Sequence, residues 1–270
     1  MPPLSGIVSA MCLPIPRRAL LAALSAAAAS RVVPASAATL SVQGSATFTA
    51  ELMQDHRAEI EALAGHGLRL VTNNSKAGLL ALFEGTADLA MISTRLENEV
   101  EILRRHAPGL ASGRLRAFEV ARLPARLIVH PGNPVRAISF DDLRRVLRGE
   151  ITNWRELGGP DLPVRVVATR EGAGVAATVA GRVIGPGAPI AAPHQVRVQQ
   201  GSQVATVVEQ EPSALGLAQR KITRDRAVAD LVTPAPIEQE LLLVTLGEPT
   251  PEAAAVIEAC RGVADRVLGG

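Results

Sequence analysis

The chain has 270 residues, and 47% of them are hydrophobic, so it can bury a substantial core in one large domain or two smaller ones. It contains no tyrosine, four phenylalanines and one tryptophan, which argues against a sugar site or a single-stranded nucleic-acid platform, since both usually stack aromatic rings. The net charge is +2 and no stretch is rich in lysine and arginine, so nucleic acid is not expected as a partner.

The first 37 residues have the layout of a signal peptide. Arg17 and Arg18 precede an Ala/Leu stretch at 19–29, and an A-x-A motif ends at Ala37. We therefore predict a signal peptide over 1–37, cleavage near Ala37 and a periplasmic or otherwise exported protein. The alternative is a buried N-terminal helix. General secretion and twin-arginine export both remain open.

Translation starts at Met1 or at Met11, and the sequence leaves both open. Removal of the signal peptide takes away three arginines and no acid, which leaves the mature chain near neutral. It also removes Cys12, so Cys260 has no intrachain disulfide partner. Cys260 lies near the apolar side of a predicted C-terminal helix, which favours a buried, inert thiol.

Strands and helices alternate in the first part of the mature chain. The patterns predict strands at 38–44, 68–73 and 87–93, with helices at 47–65 and 75–85 between them. In the first helix we expect Leu52, Ile60 and Leu63 to face inward, and Ser75 is the predicted N-cap of the second. This βαβαβ order favours a mainly parallel sheet covered by helices.

The rest of the chain begins with two apolar stretches broken by Pro124 and a turn at 130–134. A second α/β unit follows, to about residue 225, and then a strand and a closing helix. We expect Ser139, Ser202 and Thr250 to cap three of the helices. The predicted elements are a helix from Ser139, strands at 162–170, 194–200, 213–220 and 240–246, and helices at 175–185, 201–212 and 250–268.

Four polar strand ends suggest a binding site. They are Gly44–Phe48, Thr72–Gly78, Ser93–Arg95 and Ala168–Ala177, and each lies before or near a helix start. The carboxyl ends of parallel strands meet at one edge of a sheet, where ligands bind, and free N–H groups at helix starts attract anions.

Each of these features also has a purely structural interpretation. Ser45 or Thr47 can act only as a helix cap, and Arg95 can simply pair with Glu97 or Glu99. Lys76 can add charge to a site or face solvent. The five histidines are scattered, and no nucleophile elbow, Walker lysine or metal-ligand spacing is present. We therefore expect no enzyme activity, no cofactor and no metal site.

Six segments together resemble the PstS-like phosphate-binding proteins of ABC transporters, in the type II periplasmic binding protein superfamily. The resemblance covers residues 39–270 in order, and the stretch Asn133–Gly159 is its most specific part. The segments are GSATF, TNNSKAG, DLAMISTRL, HPGNPVRAISFDDLRRVLRGEITNWRELGG, VVATREGAG and GSQVATVVEQEPSALGLAQ.

The resemblance implies an α/β, two-lobed periplasmic-binding-protein fold. Each lobe would be a mainly parallel sheet flanked by helices, with the ligand cleft between the lobes. Lobe 1 would comprise 38–124 and 236–270, and lobe 2 would comprise 125–235. The chain crossings near 120–127 and 230–240 would act as hinges.

The resemblance also implies which residues bind a small oxyanion, phosphate first. The implied ligand-binding residues are Ala46, Thr47, Phe48, Ser75, Ser93, Arg95, Arg170, Gly172, Ala173 and Gly174. The protein would deliver this ligand to a membrane ABC permease and act as a monomer.

One loop departs from the family pattern. Where the family has Gly-Ser-Gly-Thr, this chain has Gly172-Ala173-Gly174-Val175, so two hydroxyl donors are missing. Each hydrogen bond lost to a charged group costs roughly 1.5–3 kcal/mol. Either phosphate binds weakly, or other donors such as Lys76 compensate, or the ligand is different. The alternative function is an anion-sensing or adaptor protein with altered or lost phosphate binding.

Overall fold

The structure, a computed structural model, describes residues 38–169 and 174–268. The predicted signal peptide and the residues Arg170, Gly172 and Ala173 therefore lie outside the described residues. The strands are β1 (Thr39–Ser45), β2 (Gly67–Asn73), β3 (Leu89–Ile92), β4 (Leu115–Val129), β5 (Arg165–Thr169), β6 (Gln195–Val198), β7 (Ala214–Gln219), β8 (Ala229–Asp230) and β9 (Ile237–Leu246).

Helices alternate with most of these strands, as the periodicity predicts. The first helical segment runs from α1 through a π-helical turn, Thr49–Met53, into α2, and short 3₁₀ helices occupy Ser112–Arg114 and Trp154–Leu157. The α-helices are α1 (Ala46–Phe48), α2 (Gln54–Ala64), α3 (Ser75–Phe83), α4 (Leu96–His106), α5 (Phe140–Arg148), α6 (Gly174–Val183), α7 (Gly201–Gln210), α8 (Arg220–Thr223) and α9 (Pro251–Leu268).

The strands form one mixed sheet in the order β2-β1-β3-β9-β4-β7-β5-β6, with β8 beside β4. At one end β1 pairs in parallel with β2 and β3, and at the other β5 pairs in parallel with β6 and β7. The long strands β4 and β9 pair antiparallel between these two parallel sets. Each parallel set needs helical crossovers, which is why the chain alternates strand and helix on both sides of β4.

Pro124 lies inside β4, although the sequence suggests a break there. Its partner is Glu238 of β9, and pairing of β4 with β7 begins one residue later, at Ala125. Proline lacks an N–H and is tolerated where a strand is paired on one side only. The two apolar stretches therefore form a single strand that leads from one parallel set to the other.

The buried hydrophobic residues fall into two groups with no member in common. The first core group comprises the clusters built from residues 40–120 and 241–264, and the second core group those built from residues 127–237. Helices α2, α3, α4 and α9 pack on the first group, and α5, α6 and α7 on the second. The predicted lobe boundaries remain a prediction.

Two side chains mark these cores. Trp154 is fully buried in the second core group, and its Nε1–H donates to the Ser213 carbonyl at 2.8 Å. Cys260 is fully buried in the first core group, and burial raises the pKa of its thiol to about 12. The expectation of a buried, inert thiol is confirmed. Leu63, in contrast, is 62% exposed, so the prediction that it faces inward is wrong.

Helix caps match the sequence expectation at two of the four predicted positions. Ser139 and Thr250 accept hydrogen bonds from first-turn amides, as predicted. Helix α3 begins at Ser75 with Asn74, one residue earlier than expected, as the N-cap, and the N-cap of α7 is Gln200 rather than Ser202. Asn74 follows the end of β2 directly, and Gln200 lies two residues after the end of β6. Among residues 38–169 and 174–268, no helix has the length and hydropathy required for a membrane span.

Candidate functional site

A cavity of about 440 Å³ lies where the carboxyl ends of both parallel strand sets meet. Its lining includes the last residue of β1, β2, β5 and β7 and the residue after β6. We call this the polar cavity. It is lined by Ser45, Ala46, Thr47, Ala50, Asn73, Asn74, Thr169, Gly174, Val175, Gln199, Gln200, Gly201, Leu217, Ala218, Gln219 and Ile222.

The described lining of the polar cavity contains no ionised side chain, and half of its residues have polar side chains. Thr169 and Gly174, which flank residues 170–173 in the chain, both belong to it. In this lining the starts of α3, α6 and α7 all open onto the cavity, together with α1. The first amides of a helix lack intrahelical partners and carry a positive partial charge. The convergence of helix starts therefore favours an anion in the cavity, with no ionised side chain needed from the described lining.

Asn73 is one residue of the lining with an unused polar atom. Its buried Oδ1 makes no hydrogen bond to any of the described residues. A buried acceptor without a partner costs roughly 1–3 kcal/mol. A ligand that donates one hydrogen bond in the cavity would remove that cost.

The first predicted loop contributes a hydroxyl to the cavity but not the Phe48 amide. Thr47 lines the cavity, and its Oγ1 accepts a hydrogen bond from Gln219 Nε2 at 3.1 Å. The Phe48 amide instead donates to Ser45 Oγ at 3.3 Å, which caps α1, and the Phe48 side chain is fully buried in the first core group. Of the three residues predicted in this loop, Ala46 and Thr47 thus line the cavity.

Ser75 and Ser93 lie in a buried hydrogen-bond network behind the polar cavity. The hydroxyl of Ser45 donates to Ser93 Oγ at 2.7 Å, and the Ser93 amide donates to Ser75 Oγ at 3.4 Å. Both predicted serines are at most 1% exposed. They join the ends of β1, β3 and α3, and neither is part of the cavity lining.

The same network reaches α6, which belongs to the other core group. Gln239 Nε2 donates to the Ser93 carbonyl at 2.9 Å, and Thr178 Oγ1 donates to it at 3.4 Å. Gly174 packs so closely that an added Cβ would overlap Ser93 Oγ and Gln239 Nε2. Gly174 is therefore required here for the close approach of α6, in addition to lining the cavity.

Arg95 lies apart from the polar cavity. Its side chain is 58% exposed, and its Nε lies 3.2 Å from Oε1 of Glu240 in β9. This partner is neither Glu97 nor Glu99, the two that the sequence suggests. A role for Arg95 as an anion ligand stays a prediction, as do those of Arg170, Gly172 and Ala173, which lie outside the described residues.

Glu99 is a buried acid that the sequence does not reveal. It is 1% exposed on α4, beside Ser75 and Lys76. Burial raises the pKa of the Glu99 carboxyl to about 7, while the hydrogen bond with Ser75 and the charge of Lys76 lower it by smaller amounts. Its first-turn position on α4 is typical of a solvated acid that favours the helix dipole.

Neutral hydrogen bonds connect the two core groups at two separate places. Gln219 bonds to Thr47 in the lining of the polar cavity, and elsewhere the buried Asn98 donates to the Ala177 carbonyl at 3.4 Å. The Gly187 amide donates to Asn98 Oδ1 at 3.3 Å. Asn98 also bonds to Thr94 Oγ1 at 2.7 Å, so its amide is held firmly at the start of α4.

Comparison with known proteins places this architecture in a family. Residues 29–258 match the model of the PBP superfamily domain. The phosphate-binding protein PstS of Bacillus subtilis is 22% identical over 192 residues, which are 71% of this chain and 60% of that relative. The chain thus spans less than two thirds of the length of this curated relative.

Solved structures show the same fold. An ABC-type phosphate transport receptor from Vibrio cholerae matches with a TM-score of 0.69 and 20% identity, over 84% of this chain and 98% of that one. A putative phosphate ABC transporter substrate-binding protein from Clostridium perfringens, solved with bound phosphate, matches with a TM-score of 0.66 and 20% identity, over 84% and 97%. The effector-binding domain of a BenM variant matches with a TM-score of 0.56 and 11% identity, over 84% and 95%.

These similarities confirm the resemblance and the two-lobed α/β fold that the sequence motifs predict. The polar cavity lies between the two core groups, at the edge where such folds bind ligands.

Proposed function

Because the chain belongs to the PBP (periplasmic binding protein) superfamily, we propose that it is an exported, non-catalytic solute-binding protein. It captures a small oxyanion, phosphate first, in the polar cavity and delivers it to a membrane ABC permease. The names of the similar proteins from B. subtilis, V. cholerae and C. perfringens support this choice of ligand and partner.

The convergence of helix starts on a cavity whose described lining carries no ionised side chain is the observation that supports the proposal. Each start offers unpaired amides and a positive dipole end, and no carboxylate of the described lining opposes an anion. An oxyanion bound there would replace its hydration with fixed N–H and O–H donors from both core groups.

Asn73 supports phosphate over sulfate. At neutral pH phosphate still carries a proton on one oxygen, whereas sulfate carries none. That proton can be donated to the buried Asn73 Oδ1, which has no partner among the described residues. Sulfate in the same place would leave the acceptor unsatisfied.

We assign the charge in the site to Arg170, on the strength of the sequence resemblance. Thr47 and the amides of the α3, α6 and α7 starts complete the set of donors. Ser75 and Ser93 position the ends of α3 and β3 through the buried network. This set offsets the two hydroxyls missing from the loop at 172–175.

Delivery to a permease requires a protein that opens and closes. We assign lobe 1 to 38–124 and 236–270 and lobe 2 to 125–235, with the crossings through β4 and before β9 as hinges. Support comes from the two separate core groups and from the neutral hydrogen bonds between them, which can break without leaving a buried charge.

Calorimetry of the purified protein against phosphate, sulfate, molybdate and small phosphonates tests the ligand. We expect phosphate to bind at least tenfold more tightly than sulfate at pH 7.5. Thr47→Val should weaken phosphate binding severalfold, because it removes a hydroxyl from the lining. Thr72→Val is the matched control, since Thr72 is the penultimate residue of β2 and does not line the cavity.

Tight binding of another anion without any heat from phosphate would overturn the choice of phosphate. A folded protein that bound none of these anions would overturn the proposal as a whole. Turnover of a phosphate ester that disappears on Ser75→Ala would contradict a non-catalytic role.

A sensing role is the second candidate. The fold is shared with regulatory domains such as the BenM effector-binding domain, and the loop at 172–175 has lost two hydroxyl donors. The phosphate-loaded protein can be added to a permease in reconstituted vesicles. If it binds phosphate tightly but fails to stimulate the permease, the result would favour sensing over transport.

A further inference from the structure

A second cavity, of about 210 Å³, lies on the other side of Asn74 from the polar cavity. The two cavities share only Asn74 among their described lining residues. We call the second one the charged cavity. Its walls come from the start of α3, from α4, from α6, from the loop at 187–190 and from β6, so both core groups contribute to it.

Glu99 lines the charged cavity with an unused oxygen. It is 1% exposed and lies beside Ser75, and its Oε1 makes no hydrogen bond to any of the described residues. A buried carboxylate oxygen without a donor is costly, more so than a neutral group. The unused oxygen therefore indicates a ligand that carries a hydrogen-bond donor.

Three basic side chains, Lys76, Arg105 and Arg197, line the same cavity. Within residues 38–169 and 174–268, none of them forms an ion pair. Arg105 donates to the Gly187 carbonyl, and Arg197 donates to the Thr169 carbonyl at 3.3 Å. With Glu99 as the opposing charge, the cavity has an excess of positive charge and suits an anion.

The remaining wall is apolar. It consists of Ile102 of α4, alanines of α6 and the Pro189–Ile190 pair. Binding sites for drug-sized ligands measure roughly 300–1,000 Å³, so a cavity of this smaller size suits a ligand of a few carbon atoms. An inorganic oxyanion would leave the apolar wall unused.

We propose that the charged cavity binds a small organic acid that carries an ammonium or hydroxyl donor beside its carboxylate. The donor meets Glu99 Oε1, the carboxylate meets Lys76, Arg105 or Arg197, and the carbon chain lies on the apolar wall. This site is independent of the oxyanion proposed for the polar cavity.

Three five-carbon diacids test the chemistry by calorimetry: L-glutamate, 2-hydroxyglutarate and glutarate. They share two carboxylates and differ in an ammonium, a hydroxyl or no donor. We expect L-glutamate or 2-hydroxyglutarate to bind about tenfold or more tightly than glutarate, because only they can donate to Glu99. The first two arms distinguish an amino acid from a hydroxy acid.

Variants locate the site. Glu99→Gln should abolish the preference for the donor-bearing diacid over glutarate, and Arg105→Ala should weaken both about tenfold. Arg104→Ala is the matched control for Arg105, because its neighbouring guanidinium pairs with Glu101 and does not line the cavity. Circular dichroism and thermal melts of each variant separate lost binding from lost folding.

A folded wild-type protein that binds none of the three diacids would overturn the proposal. So would a Glu99→Gln variant that stays folded and keeps the full preference for the donor. Phosphate titrations of the same samples report on the polar cavity, so a failure of one site is distinguishable from a failure of the other. Loss of diacid binding in Thr47→Val but not in Arg105→Ala would place the diacid in the polar cavity. That result would also overturn the proposal.

Discussion

The two cavities share Asn74 in their linings but differ in whether ionised side chains line them. In the described residues, the polar cavity has helix starts and amide side chains and no ionised group, whereas the charged cavity has three cations around one buried acid. Fixed dipoles offer many short hydrogen bonds to a compact, symmetric anion. Separate charges of both signs favour a ligand that is itself polarised along its length. The comparison thus separates recognition by dipoles from recognition by ionised side chains within one cleft.

A change at the contact between α6 and Ser93 should give the largest effect, because α6 lines both cavities. Gly174→Ala would place a Cβ on Ser93 Oγ and Gln239 Nε2, so α6 must move. We expect a loss of about 3 kcal/mol in the free energy of unfolding, at the upper end for overpacking, and weakened binding in the polar cavity. Urea unfolding and phosphate calorimetry measure the two effects.

Gly262→Ala is the matched control for that variant. A Cβ at Gly262 on α9 would meet nothing within 4 Å, so the change should be neutral or stabilise the helix by up to about 1 kcal/mol. Equal effects of the two alanines would contradict the assigned close approach at Gly174.

The buried acid of the charged cavity predicts a pH-dependent stability. The pKa of Glu99 is about 7 in the folded protein against an ordinary value of 4.5, so the folded state holds a proton that the unfolded state releases. Its contribution to stability is therefore present at low pH and is lost as the pH rises from about 4.5 to about 7. The size is on the order of 3 kcal/mol.

Urea unfolding of wild type and Glu99→Gln at pH 5 and pH 8 measures this contribution. We expect the variant to gain stability relative to wild type on going to pH 8. Glu97→Gln, which changes an exposed acid two residues away, should show no such trend. A stability difference between wild type and Glu99→Gln that is independent of pH would show that Glu99 is ionised throughout.

Two arginines test whether an ionised side chain also serves the polar cavity. Arg170→Ala should weaken phosphate binding by roughly tenfold to a hundredfold, the range for a lost hydrogen bond to a charge. Arg95→Ala should change it less than threefold, because the Arg95 guanidinium is exposed and paired with Glu240. Calorimetry of both variants gives the answer, and a reversed order would return Arg95 to the site.

The smallest expected effect concerns the neutral hydrogen bond across the polar cavity. Gln219→Leu removes the donor to Thr47 Oγ1, and we expect phosphate affinity to fall about two- to tenfold. Gln210→Leu, at the exposed end of α7, serves as the control and should leave the affinity unchanged. An unchanged affinity for Gln219→Leu would mean that this bond does not help to hold the cavity in its binding form.

The alternation of strands and helices was predictable because periodicity is a local property of the sequence. The parallel sets follow from it, since parallel neighbours need helical crossovers. Pro124 was misleading, because its missing N–H is harmless where β4 is paired on one side only. The N-cap of α3 is Asn74 and not the predicted Ser75. Two adjacent polar residues can both fill that role, and only packing selects between them.

The candidate site was predictable where it depends on strand ends, as for Thr47 and Gly174. It was not predictable where long-range contacts decide. Arg95 turns to Glu240, which is 145 residues away in the chain. Glu99 is buried although its position at a helix start is typical of a solvated acid, because α6 packs closely over the start of α4.

The single tryptophan gives the chain an unusual experimental property. There is no tyrosine, so intrinsic fluorescence comes from Trp154 and reports on the second core group alone. Once the predicted signal peptide is removed, Cys260 is the only thiol, and it is buried in the first core group. Fluorescence and thiol labelling followed through one denaturant titration would therefore show whether the two halves melt together or one after the other.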